Sequence, residues 1–577
     1  MADMEKNHLE QVETNVTDDS EKHPLEQQQT LQQVDLDNHQ AFKGDDSDGK
    51  VDWTPRKLLA AAFLAMLYTG ESGSAVPEDP HADVLQGSQV PLYFAGATLS
   101  FIAKDIGAAG AIGWLPDLFG KRYIAIFGAL LLCVGCAVLG TAHTLGQALV
   151  GMSMSGAGAG IGELTGLAGL AETVPVKQRG YSLAILTAFV LPFCPYVLFA
   201  ELFSQGSAGG WRWGAWISLI YNGLTALGLL IFYHPHAHVR AEGLAWQAVV
   251  KRIDFLGGFL SISGLVLFLV ALQAGGYTHP WTSAYVLCCL LIGLALISAW
   301  ILWEAKFARH PMVPPELFMH QRVVALSFAV AFVAGMNFFS LLNFWPLAIS
   351  TVWDAVPVKI GLRGLPVGLA TACGAIFWNA LLSTWKGGAR WILVISACML
   401  TGFGGSLAIM SPDNVVATVA IGICAAFGLG GVLVPAATVA MIAAPDALIT
   451  TCAALSLSVR AVGGAIGYSI YYNIFSGKIK KLLPALVADY AIKAGLPLTS
   501  AELFVTTYLT APTEIASVPG FNAQVLEGAL EGTQWAYAES LHYVWYTSIA
   551  FGICSIVAAA SLPNTRRFET NRIAVAL

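Results

Sequence analysis

Glu163 is the residue whose type and setting point most clearly to chemistry. It is the single charge in residues 156–169, a run otherwise made of glycine, apolar residues and Thr165. In an apolar helix a carboxyl must be protonated, paired with a cation or wetted by a cavity. A group that passes between those states can carry a proton; one that does not is a structural hydrogen-bond partner for a neighbouring helix. Arg460 stands early in another apolar run, where it lines a cavity, snorkels to the surface or pairs structurally, the last two being favoured. Asn337, Asn343 and Asn379 also interrupt apolar runs, and helix–helix bonds or contacts to a bound molecule would satisfy their amides. Phe338, Phe339, Phe344, Trp345 and Trp378 suit packing or an amphipathic, fused-ring ligand. Glu172, Asp254 and Glu304 fall at helix ends, in solvated or gate-pairing positions. Asp354 and Arg363 bracket a loop as a candidate outer gate.

Enzyme chemistry has no footing. The sequence holds no P-loop, HExxH or GxSxG pattern. Cys133 and Cys136 have CxxC spacing without a second pair or a nearby histidine, so small buried residues on a helix are the better reading. The tract His234-Pro235-His236-Ala237-His238 lacks clustered acids and fits a solvated linker. The expectation is no enzyme, no metal and no cofactor.

The elements that position these residues follow from their solvent. Of 577 residues, 56% are hydrophobic and 12% charged, with mean hydropathy +0.64. Soluble domains carry about 25% charged residues, so this chain could not cover a water-facing surface, and its apolar runs are membrane helices. Runs of spanning length occupy about 123–142, 145–169, 181–201, 213–233, 257–273, 284–303, 323–350, 364–385, 390–410, 415–442, 450–475 and 542–562. A thirteenth, interrupted run begins at Leu58. Pro192 and Pro195 should kink the run 181–201. Residues 1–52 hold 14 acidic and 4 basic side chains, a net −10 against −7 for the whole chain. They form a disordered acidic tail, too poor in apolar area to offset its ordering entropy. Residues 476–541 are a long loop with an amphipathic stretch at 478–494 and a Thr499-x-x-Glu502 capping box, expected to fold over the outer face as short helices.

Orientation follows from the cations. With Lys121 and Arg122 placed inside, 17 Lys and Arg residues fall on the inner side and eight on the outer, as the positive-inside rule requires. Both termini are then cytoplasmic, in a multi-pass plasma-membrane protein. The parity fails near the start, however. A cytoplasmic N-terminus and a cytoplasmic Lys121 need two crossings between them, yet 58–69 and 90–103 are each too short. They flank a polar insert, 71–87, and Trp114-Leu115-Pro116 runs straight into Asp117. Joining Gly70 to Ser88 would make one continuous span and leave the second missing. A retained intron at 71–87 and a lost helix at 116–117 in a faulty gene model would account for both defects; the alternative is that the two short pieces form a re-entrant or paired structure.

The segment with Gly113, Asp117, Gly120, Lys121 and Arg122 resembles the signature loop of the major facilitator superfamily. The glycines allow a tight turn, Asp117 can cap a helix end, and the cations can meet helix carbonyls or lipid phosphate. A closer resemblance is to fungal 14-span drug:proton antiporters of the trichothecene efflux pump type, with siderophore transporters as relatives. It rests on Gly162-Glu163-Leu164-Thr165, Pro175 to Gly180, Leu191 to Tyr196, Trp211 to Gly214, Arg252-Ile253-Asp254, Gly335 to Phe339 and Gly361 to Pro366. The resemblance implies an all-α fold of two six-helix bundles plus two extra helices, here with about 13 spans. Its divisions are a 53–233 bundle, a 234–256 linker, extra helices at 257–303, a second bundle over 304–475, the 476–541 loop, a last helix at 542–562 and a cytoplasmic tail at 563–577. Residues 385–390 take the place of the signature loop in the second bundle, in degraded form.

The function this implies is secondary active transport: proton-coupled efflux of a hydrophobic small molecule such as a fungal toxin or drug. Glu163 is the proton-coupling candidate, and Asn337, Phe338, Asn343, Asn379 and Arg460 are cavity candidates. The alternatives are siderophore–iron uptake by proton symport, or a non-transporting product of the faulty gene model. The expected partners are membrane lipid, protons and the substrate, with no nucleic acid, for a monomer. Sequencing the transcript across codons 55–125 is expected to give a message without the 71–87 insert; a message encoding the chain as it stands would refute the gene-model fault.

Overall fold

The computed structural model describes residues 54–69, 121–195, 198–199, 212–234, 254–275, 279–308, 311–318, 322–353, 356–445, 448–510 and 512–569. Outside them lie the acidic tail 1–52, the insert 71–87, the junction at 116–117 and most of the linker 234–256. Gly113, Asp117 and Gly120 of the signature loop, Asp354, and 570–577 of the tail also fall outside.

Long apolar runs satisfy their backbone internally by becoming helices, and in a membrane protein they do so even across the interior prolines Pro346, Pro366 and Pro484. In chain order these are α1 (Pro55–Thr69), α2 (Lys121–Gly140), α3 (Leu145–Glu172), α4 (Arg179–Ala188), α5 (Arg212–Phe232), α6 (Phe255–Ala274), α7 (Ala284–Lys306) and α8 (Val323–Ala348). There follow α9 (Pro357–Thr384), α10 (Ala389–Ser406), α11 (Val415–Leu433), α12 (Pro435–Ala443), α13 (Ile449–Lys493), α14 (Ala501–Thr510) and α15 (Ala523–Ala560). Ten stretches among the described residues are long and apolar enough to cross a membrane.

Helices α1, α2, α3 and α5 pack together with α4 alongside, and α8–α13 with α15 form a second bundle. The pair α6–α7 stands apart, touching α13 through α6. Most of α7 is exposed, including Leu287, Leu291, Ile301 and Leu302, as a lipid-facing helix should be. Asp254 caps α6 through Gly257 N (2.8 Å) and accepts from Trp303 Nε1 of α7 (2.9 Å). Glu304 accepts from Met312 N (3.1 Å). These two acids tie the extra pair locally.

Two expectations are corrected. The kink at Pro192 and Pro195 is a break: α4 ends at Ala188, and a 3-10 turn, Leu191–Phe193, follows. Proline removes an N–H and disfavours the α conformation in the residue before it. Residues 476–541 are not a loop of short helices alone. The 45-residue α13 continues unbroken to Lys493, and α15 already begins at Ala523, with the short α14 between. These ends close a separate hydrophobic cluster around Val487, Phe504, Tyr508, Val518 and Val525. There Tyr508 meets Thr533 Oγ1 at 3.2 Å, and burial pushes its phenol up.

Close approach of α8 and α13 depends on glycine. A Cβ on Gly335 would collide with the carbonyl of Arg460, and one on Gly463 with that of Phe332. Gly335→Ala is therefore expected to lower stability by about 1–3 kcal/mol through overpacking. Gly402→Ala, where nothing lies within 4 Å, should leave it unchanged or raise it; unfolding midpoints in detergent compare the two.

Candidate functional site

The two bundles meet along α3–α13 and α4–α9. Charged and polar side chains on this seam come from sequence positions far apart, and the fold alone unites them. Glu163 on α3 accepts from Arg460 Nη2 on α13, across 297 positions. Both side chains are almost wholly buried, 4% and 11% exposed, so each offsets the desolvation cost of the other. The residues singled out separately in the sequence thus form one cross-bundle ion pair.

Nearer the Lys121 end, Glu172 takes two partners. Lys121 Nζ donates to Oε2, and Thr450 Oγ1 at the start of α13 donates to Oε1 (3.0 Å). Arg179, only 1% exposed, donates from Nε to Ala171 O (3.0 Å) and from Nη1 to Met441 O of α12 (2.7 Å). Beside it Tyr181 N donates to Ser383 Oγ of α9 (3.1 Å), and a Cβ on Gly180 would collide with Asn379 O. Bonds from Glu172, Arg179 and Tyr181 thus cross between bundles at one end of the molecule. At the opposite end of α4–α9, Cys194 Sγ lies 3.7 Å from Gly368 O.

The remaining candidates distribute differently. Asn337 accepts from Tyr471 Oη (3.1 Å); both line a cavity of about 20 Å3 inside the second bundle, with Ser340, Trp545 and Ser548. That volume holds about one water. Asn379 is fully buried and accepts from Thr438 Oγ1 of α12 (2.8 Å). Asn343 is half-buried and donates to Phe339 O of its own helix (2.7 Å). Phe338, also half-buried, makes an edge contact with Phe339 at 5.1 Å. Of the signature loop, Lys121 joins the seam and Arg122 donates to Leu230 O of α5 (2.7 Å).

Sequence reasoning missed Arg179, counted there as an inner-side loop cation. It also missed Thr450, Tyr471 and Thr438. Their hydroxyls carry no pattern, whereas Arg179 sits directly before Gly180, the position that admits α9.

A family model described as fungal trichothecene efflux pump (TRI12) matches residues 62–577. The MFS-type transporter prx5 of Penicillium rubens is 26% identical over 507 residues, 84% of this chain and 89% of that protein. The MFS-type efflux transporter pyiT of Pyricularia grisea is 27% identical over 498 residues, 82% and 79% of the two chains. The trichothecene efflux pump TRI12 of Fusarium sporotrichioides is 23% identical over 477 residues, 80% and 78%.

Arg460→Met is expected to cost about 3–5 kcal/mol of stability, because it leaves a buried carboxylate behind. Adding Glu163→Gln should recover much of that loss, with a coupling of about 1–3 kcal/mol in a double-mutant cycle read from unfolding in detergent.

Proposed function

Because the chain belongs to the fungal trichothecene efflux pump family of major facilitator transporters, we propose that it expels a hydrophobic small molecule from the cell in exchange for protons. The cross-bundle pair of Glu163 and Arg460 carries this reading. The Lys121 end is the cytoplasmic end, and the membrane is the plasma membrane.

The pair and the bonds of Glu172, Arg179 and Tyr181 hold that end shut. A proton arriving on Glu163 from outside neutralises the carboxylate and removes the attraction across the seam. The bundles part at the cytoplasmic end, the proton leaves inward and substrate enters. With Glu163 ionised again the pair re-forms behind the substrate, which departs outward. Exchange follows because the ionised carboxyl and the open cytoplasmic end are alternatives for one pair of helices. Half-buried Phe338 and Asn343 offer an aromatic face and an amide to the cargo, whereas Asn337 and Asn379 brace the second bundle from within. The transport reading makes this chain a carrier and not an enzyme. The efflux names of its relatives lend siderophore uptake no support.

Proteoliposomes with an acid lumen should accumulate a trichothecene, and a protonophore should abolish the gradient. Glu163→Gln is expected to lose pH-driven accumulation while retaining slow downhill exchange. Ferric-siderophore uptake by the reconstituted protein, or full pH-driven transport by the variant, would sink the reading.

A further inference from the structure

The turn between α9 and α10, Trp385-Lys386-Gly387-Gly388, stands where the second bundle repeats the signature loop, and residues 385–390 contain no acid. Gly387 adopts φ +73, a left-handed conformation that favours glycine. Its N–H donates to both carboxylate oxygens of Glu569, at 3.0 and 3.1 Å, across 182 positions. Thr565, 1% exposed, holds Glu569 Oε1 with its hydroxyl at 3.0 Å. Asn564 Oδ1 accepts from Arg566 N (2.9 Å) and would lie 3.0 Å from a Cβ on Gly387. Phe568 packs against the main core. The C-terminal segment is therefore seated on this turn through the Glu569–Gly387 bond, with Asn564 and Arg566 close beside Gly387 and Phe568 anchoring the segment to the core.

We propose that residues 564–569 clamp the α9–α10 turn, and that Glu569 is the positioning residue that keeps the bundle seam shut at the Lys121 end. Glu569, 182 positions along the same chain, brings a carboxylate to a turn that holds none of its own. One turn back along α9, Ser383 Oγ receives Tyr181 N of α4, and Asn379 O is the carbonyl against which Gly180 fits. The clamped turn thus fixes the last turns of α9, on which α4 docks. Arg179 at the start of α4 continues the path to Met441 O, just ahead of α13. Without the carboxylate, Gly387 loses its charge-assisted bond, the end of α9 loosens, and the seam opens more often. The proposal rests on reading the seam as a gate. Its test counts no substrate, so failure of the clamp and failure of the transport reading are seen separately.

Native Cys452, fully buried in the first turn of α13, reports opening. The full-length protein in lipid nanodiscs is treated with a water-soluble maleimide, and alkylation of Cys452 is followed by peptide-resolved mass spectrometry. Cys136, buried in α2, is the control. Glu569→Ala is expected to speed Cys452 alkylation about tenfold, the effect of one charge-assisted bond lost from the closed state. Glu569→Gln, which keeps one acceptor oxygen, should fall between. An unchanged Cys452 rate in the Ala variant would overturn the clamp. So would Cys136 rising in step with Cys452, which marks general unfolding, or a Gln variant as fast as Ala.

Discussion

A charge taken out of water must be answered by another charge, and the contact between the two bundles is organised around that requirement. Glu163 and Arg460 are almost wholly buried between apolar helices. The idealised cost of moving one such ion into a medium of low dielectric is about 20 kcal/mol, and several kcal/mol remain after relaxation. Neither bundle can carry its ion alone at that depth. The ion pair is therefore weak evidence for net stability and strong evidence for mutual dependence. Each bundle holds the other's counter-charge, so separating them demands that a proton or water replace it.

The same logic orders the end near Lys121. Arg179 is seated beneath the carbonyls of Ala171 and Met441, one on each bundle. Glu172 stands between Lys121 of its own bundle and Thr450 of the other. Bonds to ionised groups are roughly twice as strong as neutral ones, yet each is a discrete contact that a small displacement removes. Apolar packing gives no comparable selectivity within a membrane, where lipid competes on equal terms. A seam closed by a few polar bonds therefore gives way at discrete contacts rather than by degrees.

Much of the fold could be read from the sequence, because hydropathy reports the solvent a helix must tolerate. It reports the backbone less well. Beyond Phe475 the polarity of Lys478, Lys480 and Lys481 signals an end to the apolar surroundings, but α13 runs on through Pro484 to Lys493 and stops only ahead of Gly495, whose φ is +107. Of the site, Glu163 was legible because a lone carboxylate among glycines is costly. Its tie to Arg460 was not, because no local pattern connects residues 297 positions apart. Arg179 misled for a related reason: a cation beside a turn normally faces water, and only the tertiary fold reveals two carbonyls waiting for it. Glu569 belongs with these, since its partner is a backbone N–H, which every residue but proline possesses.

The length of α13 has a mechanical meaning. Arg460 lies 11 residues from its start, and 33 residues follow, arms of about 16 and 50 Å at about 1.5 Å per residue. A rod pivoting near that arginine is a lever with a ratio of about three to one. A rotation that shifts Thr450 by about 1 Å would sweep the far tip by about 3 Å if the rod stays stiff. The tip, beyond Pro484, is built into the Phe504 and Val525 cluster, so a stiff rod would carry a small adjustment where Glu172 grips one arm, amplified, to that distant cluster.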